Sequence, residues 1–280
     1  MIENSIKKTN ILNKKETETF LERSISNLNK LGITSLGAYI YSHNDNDKTT
    51  SYICGHVMRI STESKNNKLK YTGFIHIHKE AIPEQFYEVL KIAIEGYSKK
   101  IVDYEVTILI TGFTKFGEKV PDNSSGKLLF GDGVSIDVDS FGLKKPIYQE
   151  INKIMASIFD GYKEFKDFII ENNIIAGRSY FYQNKKINLC FLRLSVTDNF
   201  KKIEEDDTGN LLKDTINRIN PSSIISFGVG LYNEDEKQQY NIENKCYGYK
   251  NAKELGIYSA KNYISSNDLE TIFINKMLKV

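Results

Sequence analysis

Tryptophan is absent from this sequence of 280 residues, and only three cysteines and four prolines occur in it. The cysteines (Cys54, Cys190 and Cys246) are odd in number, far apart and without a CxxC spacing. That pattern argues against a disulfide framework and against a cysteine-based zinc site. We therefore expect reduced, mostly buried thiols in a cytosol-like compartment.

Long apolar runs are also missing. No stretch approaches the roughly 20 apolar residues that a membrane-spanning helix needs. Residues 1–18 contain no apolar core of the length found in signal peptides. These two absences predict a cytoplasmic protein with no membrane anchor.

An excess of one charge is lacking as well, since 38 Lys and Arg stand against 36 Asp and Glu, a net charge of +2. This bias is too weak to indicate nucleic acid or a membrane surface as a partner. Apolar residues make up 40% of the chain, with 17 Tyr and 15 Phe, enough for a sizeable core. The composition is that of a soluble globular protein with one large domain or two small ones.

The first half of the chain predicts a mixed sheet with two helices. Residues 15–31 have apolar side chains at helical spacing, and Gly32 ends that helix. Three strand-like runs follow at 33–42, 49–61 and 68–78, separated by polar turns, which favours an antiparallel meander. Pro83 is typical of the first residue of a second helix, and residues 102–113 predict a further strand.

Residues 114–133 form the longest stretch without periodicity and combine Gly, Pro, Asp, Asn and Ser. We place a boundary there, near residue 125, which predicts a first domain at 1–125 and a second at 126–280. The fold class is α/β, of the α+β kind. The linker is short, so the halves could also pack as one unit.

The second half predicts the order β-α-α-β-β-α-β-α-β. The predicted elements are a strand at 133–142, helices over 146–172 with a break near Gly161, strands at 177–183 and 187–196 joined by a turn at 184–186, a helix between Asp198 and Ile219 with a loop at 206–209, a strand at 222–232, a helix at 241–256 and a strand at 258–264.

Three short motifs lie along this order: SIDVDSF at 135–141, ISFGVG at 225–230 and AKELG at 252–256. In sequence and spacing they resemble the palm domain of diguanylate cyclases, the GGDEF family. The resemblance covers about half the chain. It implies a ferredoxin-like palm as the C-terminal domain, after the mixed antiparallel-sheet half.

The chemistry implied by the resemblance is nucleotidyl transfer with Mg²⁺ or Mn²⁺, in which carboxylates hold metal ions against phosphate oxygens. Asp137 matches the family's metal-binding catalytic acid, and Val138 would offer its backbone carbonyl as a further ligand. Lys253 matches the position of a phosphate contact. Asp132, just before the first palm strand, is a candidate metal ligand for the same cleft.

The sequence also departs from the family. The hairpin that should carry GGDEF reads QNKKI at 183–187, with no acid, and Lys145 and Pro146 occupy the region of the guanine-reading Asn-Asp pair. An ordinary diguanylate cyclase is therefore disfavoured. We hypothesise that Lys185 and Lys186 hold phosphates where metal would otherwise do so.

These observations predict a divergent palm protein that binds a purine nucleotide or cyclic dinucleotide with a divalent metal. It would be either a cyclase or nucleotidyltransferase enzyme or a degenerate sensor. The alternative is a non-enzymatic interaction or assembly protein, such as a phage or mobile-element factor, and a homo-oligomer stays open under either interpretation.

Two other site hypotheses use different residues. Asp122, Asp137 and Asp139 are spaced similarly to the acids of PD-(D/E)xK nucleases, although Asp139 stands where a lysine is expected. His76 and His78, with His56 on the preceding strand, form a candidate site for a zinc-like ion, which needs at least a third ligand. For both sets we favour ordinary turn and surface roles over a site.

Overall fold

The computed structural model describes residues 26–37, 40–45, 48–55, 58–63, 68–113, 123–130, 145–162, 164–170, 175–194, 207–230, 241–242, 269, 272–273 and 276. The strands are β1 Ile33–Gly37, β2 Ile40–Asp45, β3 Lys48–Gly55, β4 Met58–Glu63, β5 Tyr71–Ile77, β6 Glu105–Phe113, β7 Glu164–Ile170, β8 Ile175–Tyr182, β9 Lys185–Leu194, β10 Ser223–Val229 and β11 Asn241–Ile242. The helices with defined bounds are α1 Pro83–Lys100, α2 Ser124–Phe130, α3 Lys145–Ile158 and α4 Asp207–Ile219.

Eight strands form one mixed sheet in the order β11-β1-β5-β10-β6-β9-β8-β7. Its centre consists of four parallel strands, β5, β10, β6 and β9. Antiparallel strands extend it on both sides: β1 pairs with β5, while β8 pairs with β9 and β7 with β8. Strands β2, β3 and β4 form a separate antiparallel sheet.

Side-chain alternation along the central strands builds two apolar layers. On one face, Ile108 and Ile110 of β6 and Phe227 of β10 pack in the same cluster as Phe86 and Leu90 of α1. The residues between them face the other way. Leu109, Cys190 and Ile224 join Leu212 and Ile216 of α4 in a second cluster. Strands covered on both faces read as nearly continuous apolar runs, as the sequences of β6 and β9 do.

The chain near its C-terminus closes the first layer. Residues 269, 272, 273 and 276 are helical, and the first three are buried in the α1 cluster. A Cβ added at Gly96 of α1 would lie 2.3 Å from Cγ2 of Ile272, and one at Gly73 of β5 would lie 2.8 Å from Cδ2 of Leu269. Both glycines therefore leave the space that this segment fills.

The expectation of a mixed α/β protein is confirmed. Residues 26–30 are helical and Gly32, with φ of +68°, follows them as predicted; α1 begins at Pro83. The hairpin and the strand at 223–229 are also present. Predictions for residues 15–25, 133–142 and 258–264 lie outside the described residues.

Four local predictions were wrong. Residues 164–170, expected to be helical, form β7, because Gly161 takes φ of +79° and every residue of β7 pairs with β8. Residues 124–130, expected to be aperiodic, form α2. The loop predicted at 206–209 belongs to α4 from Asp207 onward. Asn241 and Ile242, expected to start a helix, pair with β1.

The meander and the turn also differ in detail. Each of the first two predicted runs contains two strands, so β2, β3 and β4 pair among themselves while β1 joins β5 in the main sheet. The hairpin turn is Gln183 and Asn184, with Gln183 at φ of +53°, which suits a two-residue connection. Lys185 and Lys186 are consequently strand residues.

In the main sheet, strands that precede residue 125 in the sequence alternate with strands that follow it. Strand β10 lies between β5 and β6, and β9 pairs with β6 on its other side. The boundary near residue 125 thus divides the sequence without dividing this sheet. Within the described part of the chain, no helix is both long and apolar enough to cross a membrane.

The contact between Gly96 and Ile272 can be tested, because the effect of a Gly96 substitution on stability should change sign when Ile272 is shortened. Gly96→Ala should lower the free energy of unfolding by about 1 kcal/mol, because overpacking costs more than the ~1 kcal/mol of helix propensity that alanine adds. In an Ile272→Ala background the clash is gone, and the same change should raise stability by about 1 kcal/mol. Urea unfolding of the wild type, the two single variants and the double variant measures both changes in the free energy of unfolding. A stabilising Gly96→Ala in the wild-type background would show that this contact does not form.

Candidate functional site

The carboxyl ends of the four parallel strands meet at one end of the sheet. The chain leaves β5 toward α1 on one face and leaves β9 toward α4 on the other. Strands β10 and β6 lie between these two departures. In open α/β sheets, ligands bind in the crevice outside the carboxyl ends of the strands, where successive connections go to opposite faces. A ligand-binding site is therefore expected at the carboxyl ends of β10 and β6.

Polar residues that follow β6 bridge this end of the sheet. The Ser124 hydroxyl donates to the backbone oxygen of His78, 3.2 Å away, which follows β5. Because β10 separates β5 from β6, this hydrogen bond carries the start of α2 across the carboxyl end of β10. Asn123 caps α2: its Oδ1 accepts from the backbone N–H of Ser125 at 3.1 Å and from its hydroxyl at 2.6 Å.

The Ser125 hydroxyl also ties α2 to the strand that precedes it. It accepts from the backbone N–H of Phe113, the last residue of β6, at 3.2 Å. Ser125 is fully buried. Its hydroxyl is thus held by the protein itself. Asn123 and Ser124 are buried as well, so His78 is the partly exposed residue of this bridge.

A second polar group lies on the α4 face of the sheet near the same end. The hydroxyls of Thr111 on β6 and Ser226 on β10 are 2.8 Å apart and buried. His76 on β5 lies beside Gly228 of β10 in the register and is only partly buried. Because the two buried hydroxyls are hydrogen-bonded to each other, the imidazole of His76 is the group here that can donate to or accept from a small polar ligand.

The candidate zinc-like site gains no third ligand from the described residues. The Nδ1 atom of His78 accepts from the backbone N–H of Glu80 at 3.2 Å, so that nitrogen has a local partner. His56 lies outside the described residues. Within the ranges that the structure describes, no group of three or more His, Cys, Asp or Glu side chains is placed to hold a metal ion.

In the sequence, the predicted palm acids Asp132 and Asp137 follow α2, the helix that begins at this end of the sheet. Asp132, Asp137, Val138 and Lys253 lie outside the described residues, as do Asp122 and Asp139 of the nuclease hypothesis. Asp132 follows α2 by two positions. With seven residues, α2 spans about 10 Å. The segment with the acids is therefore linked by a short helix to the carboxyl ends of the strands.

Lys185, a predicted phosphate residue, lies at the opposite end of the sheet. It begins β9, which spans ten residues or about 30 Å. Its Nζ atom donates to the backbone oxygen of Ser98 at 2.5 Å and also to that of Ile101. These carbonyls belong to the C-terminal end of α1, whose partial negative charge attracts a cation. Burial lowers the pKa of Lys185, while the charge of Asp103 acts in the opposite direction.

Lys186 belongs to a polar network on the other face of β9. Its Nζ atom donates to Oε1 of Glu105 at 2.8 Å, and Nδ2 of Asn188 donates to the same oxygen at 2.8 Å. These hydrogen bonds, that from Lys186 foremost, hold the pKa of Glu105 below its usual value. The side chain of Asn188 also accepts from Ser179 at 2.6 Å. Both predicted phosphate lysines thus have protein partners.

Sequence reasoning identified His76 and His78, at the carboxyl end of β5, as candidate metal ligands, but it missed Ser124. The signal was present, because Asn123 followed by two serines and an apolar run is a helix start. The nearby Gly and Pro residues instead favour an aperiodic boundary segment. The cysteine prediction is confirmed where the structure describes it: Cys190 is free, and burial raises its pKa to about 12.

No family model, no curated protein and no solved structure matches this chain.

Replacing Lys185 by methionine tests its role as a helix cap. Lys185→Met keeps the aliphatic stem but leaves two carbonyls of α1 without their charged donor, so we expect the free energy of unfolding to fall by about 1–2 kcal/mol. Lys79→Met, at an exposed position before α1, is the matched control and should change stability by no more than about 0.5 kcal/mol. Equal effects of the two substitutions would argue against capping.

The pH dependence of stability tests the Lys186 contact. A carboxyl group whose pKa is lowered by folding stabilises the protein above its unfolded pKa, about 4.3, and loses that contribution as pH falls through the folded value. Lys186→Met should therefore be less stable than wild type at pH 7, and the difference should shrink as pH falls below about 4. Urea unfolding at several pH values measures it, and a gap independent of pH would contradict the proposed linkage.

Proposed function

We propose that this protein binds a purine nucleotide or cyclic dinucleotide, together with Mg²⁺ or Mn²⁺, at the carboxyl ends of its parallel strands. The observation that carries the proposal is the convergence of four parallel strands, with crossovers on opposite faces, at an end bridged by Ser124 and His78. The palm resemblance of residues 126–280 supports the ligand class.

Connectivity supports the location. The resemblance assigns metal binding to Asp137 and Val138, with Asp132 beside them, and these residues follow the helix that starts at the bridge. Carboxylate and carbonyl oxygens are the ligands that Mg²⁺ and Mn²⁺ prefer. The imidazoles of His76 and His78, which are partly exposed at this end, would then contact the uncharged parts of the ligand.

The lysines enter this proposal differently from the sequence hypothesis. Lys185 and Lys186 lie about 30 Å along β9 from the carboxyl end, and both are engaged by protein acceptors. Lys253 remains the lysine assigned to phosphate. The proposal holds for an enzyme and for a sensor alike, because both bind before any turnover.

Ligand-induced NMR shifts decide whether and where binding occurs. On addition of ATP, GTP or cyclic diguanylate with Mg²⁺, we expect amide shifts at His76, His78 and Ser124 and none at Lys185 or Tyr104. Asp137→Asn should abolish the Mg²⁺-dependent part of the affinity measured by calorimetry, whereas Asp160→Asn, at an exposed turn, should leave it unchanged. Chromatography of the nucleotide afterwards distinguishes an enzyme from a sensor.

Two outcomes would overturn the proposal. The first is no binding of any of the three nucleotides with or without Mg²⁺ or Mn²⁺, and the second is shifts confined to the amino end of the sheet. Self-association in sedimentation without nucleotide binding would instead favour the assembly alternative. Among the described strands, β7 pairs only with β8 and offers its other side to a partner strand.

A further inference from the structure

The amino ends of the parallel strands form a cationic surface, here called the amino-end surface. It includes the residues just before β5, β6, β9 and β10 and the last turns of α1 and α4. Its described cations outnumber its anions by seven to three. The cations are Lys68, Lys70, Lys99, Lys100, Lys185, Lys186 and Arg218, and the anions are Asp103, Glu105 and Glu95, whose Oε1 lies 2.6 Å from Nζ of Lys99.

This excess is larger than the net charge of the whole chain, which is +2. An excess of four positive charges at one end of the sheet leaves the remainder of the chain net negative. The nearly neutral total therefore conceals a segregation of charge, and segregated positive charge attracts polyanions.

Packing contacts keep these residues at one end. The backbone N–H of Lys68 donates to Oδ1 of Asn220 at 3.0 Å, directly after α4, and Nζ of Lys70 contacts Asp103 at 2.5 Å. Lys100 lies 5.8 Å from the ring centre of Tyr71. The C-termini of α1 and α4 account for Lys99, Lys100, Lys185 and Arg218 through the helix dipole. They do not account for Lys68 or Lys70.

Two large apolar side chains project from the middle of this cationic surface. Val102 is 89% exposed and Tyr104 is 66% exposed, in the connection from α1 to β6. The backbone oxygen of Tyr104 accepts from the backbone N–H of Lys186 at 2.8 Å. The ring is thus presented to solvent from a fixed backbone, which lowers the entropic cost of stacking on it.

We propose that the amino-end surface binds single-stranded nucleic acid, with Lys68 and Lys70 contacting phosphates and Tyr104 stacking on a base. An aromatic face among cations is the combination used for single strands, in which base faces are accessible. A duplex hides those faces and could use only the charges. This surface lies at the other end of the sheet from the proposed nucleotide site, so either proposal can fail without the other.

Fluorescence anisotropy with a labelled 20-nucleotide mixed-sequence DNA tests the proposal. We expect Tyr104→Ala to weaken binding about 10-fold, as removal of one stacking partner does, and Tyr104→Phe to retain affinity. Lys68→Gln combined with Lys70→Gln should reduce the slope of log affinity against log salt by about 1.4, or 0.7 for each phosphate contact.

Control variants keep the experiment specific. Lys79→Gln combined with Lys153→Gln removes two charges at exposed positions elsewhere and should leave both affinity and slope unchanged. Far-ultraviolet circular dichroism verifies that each variant is folded. The proposal is overturned if the oligonucleotide does not bind in 50 mM salt, if the control pair weakens binding as much as the lysine pair, or if Tyr104→Ala has no effect and a duplex binds equally well.

Discussion

The rest of this structure depends on the insertion of β10 between β5 and β6. The crossover from β5 to β6 leaves a gap one strand wide, and the chain fills it only after passing through β9 and α4. The register is fixed at Ser222, whose backbone N–H donates to the oxygen of Thr107 at 2.7 Å and whose oxygen accepts from the N–H of Lys70 at 2.9 Å. Six of the seven residues of β10 are buried. Without this strand, β5 and β6 would share no hydrogen bonds and the two apolar layers would lose their common centre.

The same arrangement gives the two ends of the sheet different chemistry. Helices α1 and α4 connect the carboxyl end of one parallel strand to the amino end of another, so both helices finish at the amino end. Their C-terminal carbonyls concentrate partial negative charge there, and lysines collect around it, Lys185 by direct hydrogen bonds. The carboxyl end instead receives neutral hydroxyl and amide groups around Asn123 and Ser124. Helix direction thus accounts for the cations around the C-termini of α1 and α4, while Lys68 and Lys70 add positive charge at the same end independently of it.

Local signals in the sequence predicted the elements that local interactions determine. Pro83 marks the start of α1 and Gly32 the end of the helical residues before β1, because each limits the backbone at its own position. The segment 164–170 carries no such signal. Its Phe and Ile residues fit a helix or a strand, and pairing with β8 decides between them. The place of β10 was beyond sequence reasoning for the same reason, since its neighbours come from the first half of the chain.

The two adjacent lysines of the hairpin show why a candidate site is harder to predict than a fold. As a turn pair, Lys185 and Lys186 would be free to converge on one phosphate. The turn ends two residues earlier, at Asn184, so both belong to β9, and neighbouring residues of a strand face opposite sides of the sheet. Lys185 accordingly reaches the end of α1, while Lys186 reaches Glu105. A shared phosphate would require both ammonium groups to leave these partners, one on each face of the sheet. A difference of two residues in where the turn ends is enough to create that obstacle.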